Sequence, residues 1–153
     1  KEDAIKRYAL VGLWVRHLAA SAMSCPLASF LIAPDATLRI DPLDPDEARK
    51  TLDAVFEAYR MNLRHPLPVA IRTALGFLGA EDAKSDDLTG KLYEGDGAFM
   101  LGEVTTCDYL YRAYPSAEEL LLGRAGGVGF EEWSRRLYQP LSEAVFQIET
   151  ADR

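Results

Sequence analysis

Apolar side chains in the first third of the chain predict one long helix followed by two short strands. The helix spans Glu2 to Met23, and its apolar residues have the three-to-four spacing of a buried helical face: Ile5, Tyr8, Val11, Trp14, Val15, Leu18 and Ala22. Cys25-Pro26 ends it, because a residue before proline avoids the α-helical region. An apolar run, Leu27 to Ala33, and an alternating run, Ala36 to Ile40, then flank the turn dipeptide Pro34-Asp35. This pattern predicts a β-hairpin.

A second helix is predicted from three start signals. Asp44 is a favourable N-cap, Pro45 occupies the first helical position, and Glu47 stands three residues after the cap. We expect two residues near the end of this helix, Tyr59 and Leu63, to pack it on the first helix. The complete predicted apolar face comprises Ala48, Leu52, Val55, Phe56, Tyr59 and Leu63.

The rest of the chain predicts short helices separated by turns. The proline-rich segment Pro66-Leu67-Pro68 is expected to be extended, Gly95-Asp96-Gly97 to turn, and the glycines at 126, 127 and 129 to form a loop. The predicted helices are Val69 to Leu78, Leu88 to Glu94, one capped by Thr105 or Thr106 and ending at Ala113, one capped by Ser116 with Glu119, Phe130 to Tyr138, and Pro140 to Glu149. The fold class is therefore mainly α with a small β-hairpin (α+β), in a single domain spanning residues 1–153.

Charge, cysteine content and hydrophobicity argue against an autonomous DNA-binding protein, a secreted protein and a membrane protein. The 17 Lys and Arg against 24 Asp and Glu give a net charge of −7, whereas autonomous nucleic-acid binders usually carry a basic excess. We expect weak or no DNA binding by this chain alone. Only two cysteines, Cys25 and Cys107, are present, which favours a reduced cytoplasmic setting. No apolar run reaches 18 residues, so no membrane association is expected.

The sequence lacks the motifs of several common catalytic and cofactor-binding sites. The glycine-rich segment at 123–129 lacks the lysine of a phosphate-binding loop and follows a predicted helix rather than a strand. The histidines and cysteines lack the paired spacing of a structural zinc site, and His17 is expected to be a packed or capping imidazole. No nucleophile elbow is present. We therefore expect no catalytic, metal-binding or cofactor-binding residues and no cofactor.

One catalytic alternative is a diverged Mg²⁺-dependent nuclease that uses Asp96 and Glu103. These acids flank an apolar stretch that could be a strand, and nuclease carboxylates hold Mg²⁺ while a nearby lysine positions water. Thr105 occupies the position where the lysine should stand. This substitution disfavours hydrolysis through the pair.

A local basic cluster is the candidate contact surface for DNA or a protein partner. It consists of Arg60, Arg64, His65 and Arg72, which bracket the proline-rich segment. Arg60 and Arg64 are four residues apart and so share one helix face. The cluster could bind phosphate or an acidic protein surface, or it could be a solvated face that offsets nearby acidic residues. A third interpretation of the whole chain is an unrelated helical partner-binding adaptor.

Short motifs follow one another along most of the chain in a characteristic order. They are Leu13-Trp14-Val15-Arg16-His17-Leu18, Asp41-Pro42-Leu43, Tyr59 to Leu63 with Pro66-Leu67-Pro68, Thr73 to Leu78, Tyr93-Glu94-Gly95, Gly102-Glu103, Asp108-Tyr109-Leu110 and Tyr138-Gln139-Pro140-Leu141. This series, over about Trp14 to Leu141, resembles the C-terminal region of the RecC family, the gamma chains of exodeoxyribonuclease V. Asn62 stands where that family usually has glycine, and Gly76 stands where alanine is common.

This resemblance implies a C-terminal fragment of a longer chain, part of a restriction-endonuclease-like α/β domain that has lost its active site. Any catalytic strands would precede Lys1 or be absent. The implied role is non-catalytic: subunit assembly and DNA guiding or strand separation in the ATP-dependent helicase–nuclease that processes double-strand breaks for recombinational repair. The implied partners are the beta (RecB) and alpha (RecD) chains, with DNA contacted in the assembled complex.

Overall fold

The computed structural model describes residues 7–33, 36–80, 85–97 and 100–148. Within these ranges the chain is mostly helical and carries a small antiparallel sheet, which confirms the predicted class of mainly α with a small β-hairpin. The chain divides into two compact units. Unit one comprises Lys1–Phe56 and Pro140–Arg153, and unit two comprises Glu57–Gln139. No helix in the described ranges has both the length and the hydrophobicity needed to cross a membrane.

The described residues form two 3₁₀ turns, seven α-helices and three β-strands. A short 3₁₀ turn, Arg7–Ala9, lies before the first of the helices given below, and another, Val104–Thr106, lies before α5. The helices are α1 Leu10–Ala22, α2 Pro45–Asn62, α3 Ile71–Leu78, α4 Ser85–Glu94, α5 Asp108–Ala113, α6 Ala117–Leu122 and α7 Phe130–Ala144; the strands are β1 Ser29–Ile32, β2 Thr37–Ile40 and β3 Val145–Ile148.

In unit one, α1 buries a face that is rotated from the one its apolar spacing predicts. Val15 and Tyr8 are exposed, and Ile5 lies outside the described residues. His17 is buried, its Nδ1 lies 2.9 Å from Ser29 Oγ, and its ring stacks on Trp14. This confirms the packed imidazole, and burial lowers the pKa of His17. The buried residues of α1 are Leu10, Trp14, His17, Leu18 and Ser21.

The predicted hairpin is confirmed, and a third strand extends it. β1 pairs antiparallel with β2, and β2 pairs antiparallel with β3. The predicted turn, Pro34-Asp35, lies outside the described residues. The predicted helix from Pro140 to Glu149 is wrong, because α7 continues through Pro140 and the following residues form β3. Burial of Leu141 beyond the proline helps to offset the cost of a proline inside a helix.

The two faces of the sheet have different surroundings. On the inner face, the Ser29 side chain forms a hydrogen bond with His17 of α1, and Ile40 is almost fully buried. The outer face presents Phe30, Arg39 and Phe146, which lie directly opposite one another across the three strands. The Arg39 guanidinium carbon lies 5.9 Å from the centroid of the Phe30 ring and 5.7 Å from that of Phe146.

The start of α2 follows its sequence signals. Asp44 Oδ1 accepts hydrogen bonds from the backbone N–H groups of Asp46 (2.9 Å) and Glu47 (3.1 Å), and Pro45 is the first helical residue. This geometry satisfies backbone donors that have no partner inside the helix. The predicted N-cap is therefore confirmed.

Unit two is built around Tyr93, whose ring is completely buried. Its hydroxyl donates to the carbonyl of Tyr114 at 2.6 Å, so the one polar atom of the side chain is satisfied. Burial raises the pKa of Tyr93, so the phenol stays protonated and remains a donor. The surrounding cluster comprises Ala70, Ala74, Val104, Ala117, Leu120 and Phe130; a second cluster comprises Ala58, Leu67, Ala125 and Trp133.

The carboxylate of Glu103 caps helix α3 from outside that helix. Its Oε1 accepts from the N–H of Arg72 at 3.0 Å, and its Oε2 accepts from the N–H and hydroxyl of Thr73 at 2.8 and 2.9 Å. The N-cap residue itself, Ala70, has no side chain that could do this. A carboxylate at a helix N-terminus also interacts favourably with the helix dipole. Glu103 therefore stabilises the N-terminus of α3.

Other boundaries differ from the sequence prediction by a few residues. Ser116 is confirmed as a cap, because its Oγ accepts from Glu119 N at 3.2 Å. The threonine cap is wrong: α5 starts at Asp108, and the hydroxyls of Thr105 and Thr106 donate to carbonyls three residues earlier. Helix α3 begins two residues later than predicted, and α4 begins three residues earlier.

Replacing Glu103 should destabilise the protein. We expect Glu103→Ala to lower the free energy of unfolding by about 1–3 kcal/mol, because it leaves the donors of the first turn of α3 without partners. Glu103→Gln should cost less, since the amide oxygen can still accept. Urea denaturation measures both losses. Glu57→Ala removes an exposed carboxylate of α2 and should change the value by less than about 0.5 kcal/mol. Equal losses at positions 103 and 57 would contradict the capping role.

Acidification should destabilise the native protein through His17. Burial lowers the pKa of this side chain below its usual 6.5, so as the pH falls through 6.5 the unfolded chain takes up its proton before the folded chain does. The free energy of unfolding should therefore fall as the pH is lowered through about 6.5, and it should fall less in His17→Gln. Urea denaturation at each pH measures the two slopes. Identical slopes would show that the imidazole titrates alike in both states.

Candidate interaction surface

The C-terminal end of α2 carries three exposed cationic or titratable side chains, those of Arg60, Arg64 and His65. The backbone after the helix is held in a tight turn, because the N–H groups of Arg64 and His65 both donate to the carbonyl of Met61 at 2.9 Å. The ion pairs between described side chains involve other basic residues: Arg39, Arg49, Lys91, Arg135 and Arg136. These three side chains are therefore available to solvent or to a partner.

Two large apolar side chains lie among these charges. Tyr59 is 61% exposed and Leu63 is 68% exposed, so the prediction that they pack α2 on the first helix is wrong. The buried positions of this turn are instead Ala58 and, in part, Met61. Apolar spacing identifies a stripe on a helix but does not show whether that stripe faces the core. We call Tyr59, Arg60, Leu63, Arg64 and His65 the α2 surface.

The proline-rich segment that follows the α2 surface is firmly held. Leu67 and Pro68 are buried, and the N–H of Leu67 donates to the side-chain oxygen of Asn62 at 3.0 Å. The hydroxyl of Tyr114 donates to the carbonyl of Pro66 at 2.7 Å. The segment therefore presents Arg64 and His65 from a fixed backbone, which lowers the entropy lost on binding a partner.

Arg72, the fourth residue of the predicted basic cluster, lies in a different environment. Its Nη2 donates to the carbonyls of Leu92 (3.0 Å) and Leu101 (2.5 Å), and the side chain is partly buried. The guanidinium thus joins α3 to α4 and to the segment that leads to Glu103. The exposed positive charge of the set is carried by Arg60 and Arg64, with the exposed His65 beside them.

Asp96 and Glu103, the acids of the nuclease alternative, both accept hydrogen bonds from the backbone. Asp96 Oδ1 accepts from Met100 N at 2.8 Å across the turn, and both Glu103 oxygens cap α3. Gly95 and Gly97 have positive φ, which confirms the predicted turn; Ala98 and Phe99 lie outside the described residues. The hydroxyl of Thr105 donates to the carbonyl of Gly102.

The glycine loop forms a tight turn beside an open groove of about 600 Å³. Gly126 and Gly127 adopt positive φ between the bridged residues Ala125 and Val128. Two carboxylates in the first turn of α7, those of Glu131 and Glu132, line the groove, and Glu131 pairs with Arg135 at 3.0 Å. These acids oppose an anion at the helix N-terminus. The geometry gives no support to a phosphate loop.

The potential metal ligands are dispersed. His17 is buried in unit one, whereas His65 is exposed on the α2 surface. Cys25 and Cys107 are free thiols, the first exposed and the second half-buried. Among the described residues, no three His, Cys, Asp or Glu side chains are grouped closely enough to hold a metal ion.

The sequence prediction missed a second exposed apolar feature, the outer face of the sheet. Phe30 is 48% exposed, Ile32 is 78% exposed and Phe146 is 43% exposed. Residues 145–148 include Val, Phe and Ile, which favour strands, so the sequence could have predicted β3. The strand that β3 pairs with, β2, lies about 100 residues earlier in the chain, and no local pattern identifies it as the partner.

A comparison with protein families shows which family this chain matches. The model of the RecC C-terminal domain matches residues 2–82, which is just over half of the 153-residue chain. The match includes α1, the hairpin, α2 and α3, and the later motifs of the resemblance lie beyond it. No curated protein matches the chain. The chain belongs to the family of RecC C-terminal domains.

Proposed function

We propose that this chain is a non-catalytic C-terminal domain of the gamma subunit of the ATP-dependent helicase–nuclease that processes double-strand breaks for recombinational repair. It acts in subunit assembly and in guiding and separating the DNA strands. Family membership implies a role in a complex of the RecBCD type. The observation that carries the finer proposal is the α2 surface, where apolar and cationic side chains are exposed together.

The composition of the α2 surface fits a protein interface. Tyrosine and arginine are enriched among the residues that dominate binding energy, and a large apolar side chain between them can be desolvated by a partner. Arg60 and Arg64 favour a partner with acidic groups at the contact. The net charge of −7 makes a protein partner a better match for the chain as a whole than DNA alone.

The proposed partners are the beta (RecB) and alpha (RecD) chains of the same complex, in the cytoplasm. DNA is contacted within the assembled complex, where the exposed arginines can lie near phosphates that other subunits position. Arg72 supports this surface indirectly, because its hydrogen bonds help to hold α3, which follows the proline-rich segment, against α4.

A role without catalysis is supported by the contacts of the two candidate acids. The oxygens of Glu103 already accept three hydrogen bonds, and removing them would expose the first turn of α3. Thr105 supplies no cation where a nuclease of this kind would have lysine. The proposal therefore includes no metal or cofactor for this domain.

Truncation of the α2 surface should weaken assembly without unfolding the protein. We expect Tyr59→Ala/Leu63→Ala in the gamma subunit to weaken binding to the beta or alpha chain by about tenfold or more. The free energy of unfolding should change by less than about 0.5 kcal/mol per substitution, because both side chains are exposed. Sedimentation with the purified partner chains measures the binding.

The matched control is Tyr111→Ala/Leu122→Ala, since Tyr111 is 63% exposed and Leu122 is 68% exposed in the same unit. Unchanged binding by the control and weaker binding by the α2 variant supports the proposal. Equal binding by both variants would contradict a role for the α2 surface. A native gamma subunit that binds neither chain would contradict the proposed role in subunit assembly.

The nuclease alternative has a separate test. We expect Asp96→Asn and Glu103→Gln, which keep hydrogen-bond acceptors, to leave the Mg²⁺-dependent nuclease rate per assembled complex unchanged. Loss of an essential catalytic acid would instead reduce that rate by about 100-fold or more. The rate is measured on linear duplex DNA with complexes of verified stoichiometry. Such a loss in intact complexes would establish the alternative.

A further inference from the structure

We propose that the outer face of the sheet, formed by Phe30, Ile32, Arg39 and Phe146, binds an amphipathic helix of another protein subunit. This inference rests on the proposed function, because it assumes assembly with further subunits, but it concerns unit one and a different set of residues from the α2 surface. The helix would have apolar side chains along one stripe and an acidic side chain opposite Arg39.

The first argument is the hydrophobicity of both sheet faces. An antiparallel sheet with one solvated face normally alternates apolar and polar residues, so that only the inner face is apolar. Here the inner face includes Leu31 and Ile40, yet the outer face also carries Phe30, Ile32 and Phe146. A sheet that is apolar on both faces is typical of one covered on both sides.

The second argument is the arrangement around Arg39. Its guanidinium lies between the Phe30 and Phe146 rings and pairs with Asp41 at 2.5 Å, while Nε is shielded from solvent and makes no hydrogen bond. The rings hold the guanidinium on the face of the sheet. A carboxylate from a partner would complement this charge and accept from the remaining N–H groups.

The charge of the face favours a protein over a nucleic acid. Arg39 is its one described cation, and its guanidinium is paired with Asp41 on one side. Binding of single-stranded DNA relies on a groove of positive charge in addition to aromatic stacking. Protein interfaces, in contrast, have few charges at their centre and are enriched in aromatic residues and arginine.

The dimensions favour a helix. Three strands of four residues span about 14 by 13 Å, or roughly 200 Å². A helix with its side chains is about 10–12 Å wide, so one helix covers the face. A stable dimer needs about 800 Å² per partner, so this face could not by itself join two copies of the chain. It fits one element of a larger interface between different subunits.

The test uses the full gamma subunit carrying Ile32→Glu, with Met23→Glu as the matched control. Met23 is an 83% exposed apolar residue of the same unit that lies outside the sheet. We expect Ile32→Glu to weaken binding to either the beta or the alpha chain by about tenfold or more, and Met23→Glu to leave it unchanged. Arg39→Glu should weaken the same interaction more than Arg39→Lys.

Hydrogen exchange supplies a second readout that does not depend on a variant. The amides of β1 and β3 should become more protected when the native gamma subunit enters the complex. Unchanged protection, or equal binding of the Ile32 and Met23 variants, would overturn the inference. So would unchanged subunit binding together with loss of crosslinking to a fluorescent oligo-thymidine strand, which would identify DNA as the occupant.

The two proposals fail in different ways. If the Ile32 variant binds normally while Tyr59→Ala/Leu63→Ala does not, the sheet-face inference is wrong and the proposed function stands. If the native gamma subunit binds neither chain, the proposed function fails and the sheet-face inference fails with it.

Discussion

The Glu103 carboxylate links two segments of unit two that are remote in sequence. It accepts from the first turn of α3, while the N–H of Glu103 donates to the carbonyl of Leu92 near the end of α4. Arg72 makes the reciprocal connection, since its guanidinium donates to Leu92 and Leu101. Because α3 lacks a cap of its own, its position against α4 depends on this exchange of hydrogen bonds. The buried cluster around Tyr93 of α4 includes Ala74 of α3 and also residues of α6 and α7.

The backbone that directly follows the α2 surface is held by two hydrogen bonds that involve side chains. Asn62 accepts from Leu67, and Tyr114 donates to Pro66, so the backbone that carries Arg64 and His65 is fixed on both sides. A surface that is already ordered loses less conformational entropy when a partner binds. This matters for a modest surface, because its few side chains can then contribute most of their contact energy to affinity.

The two proposed surfaces share a chemical character. Each places an arginine beside exposed aromatic and aliphatic side chains: Arg60 and Arg64 with Tyr59 and Leu63, and Arg39 with the rings of the sheet. Such a mixture combines apolar area with a planar group that carboxylates can bind bidentately. In an acidic chain, it favours protein partners that offer apolar stripes flanked by acids. An assembly role uses this chemistry without any catalytic group.

The sequence by itself determined the local features of this protein. The Asp44 and Ser116 caps, the hairpin and the glycine turns were predictable because each depends on residues within a few positions of one another. The family was also recognisable from the order of short motifs. Tertiary structure alone decided which apolar stripe faces the core, and so exposed Tyr59 and Leu63. It also paired β3 with a distant strand, carried α7 through Pro140 and made Glu103 a cap. For the Glu103 cap and for β3, the deciding contacts join residues far apart in sequence, which no local pattern can reveal.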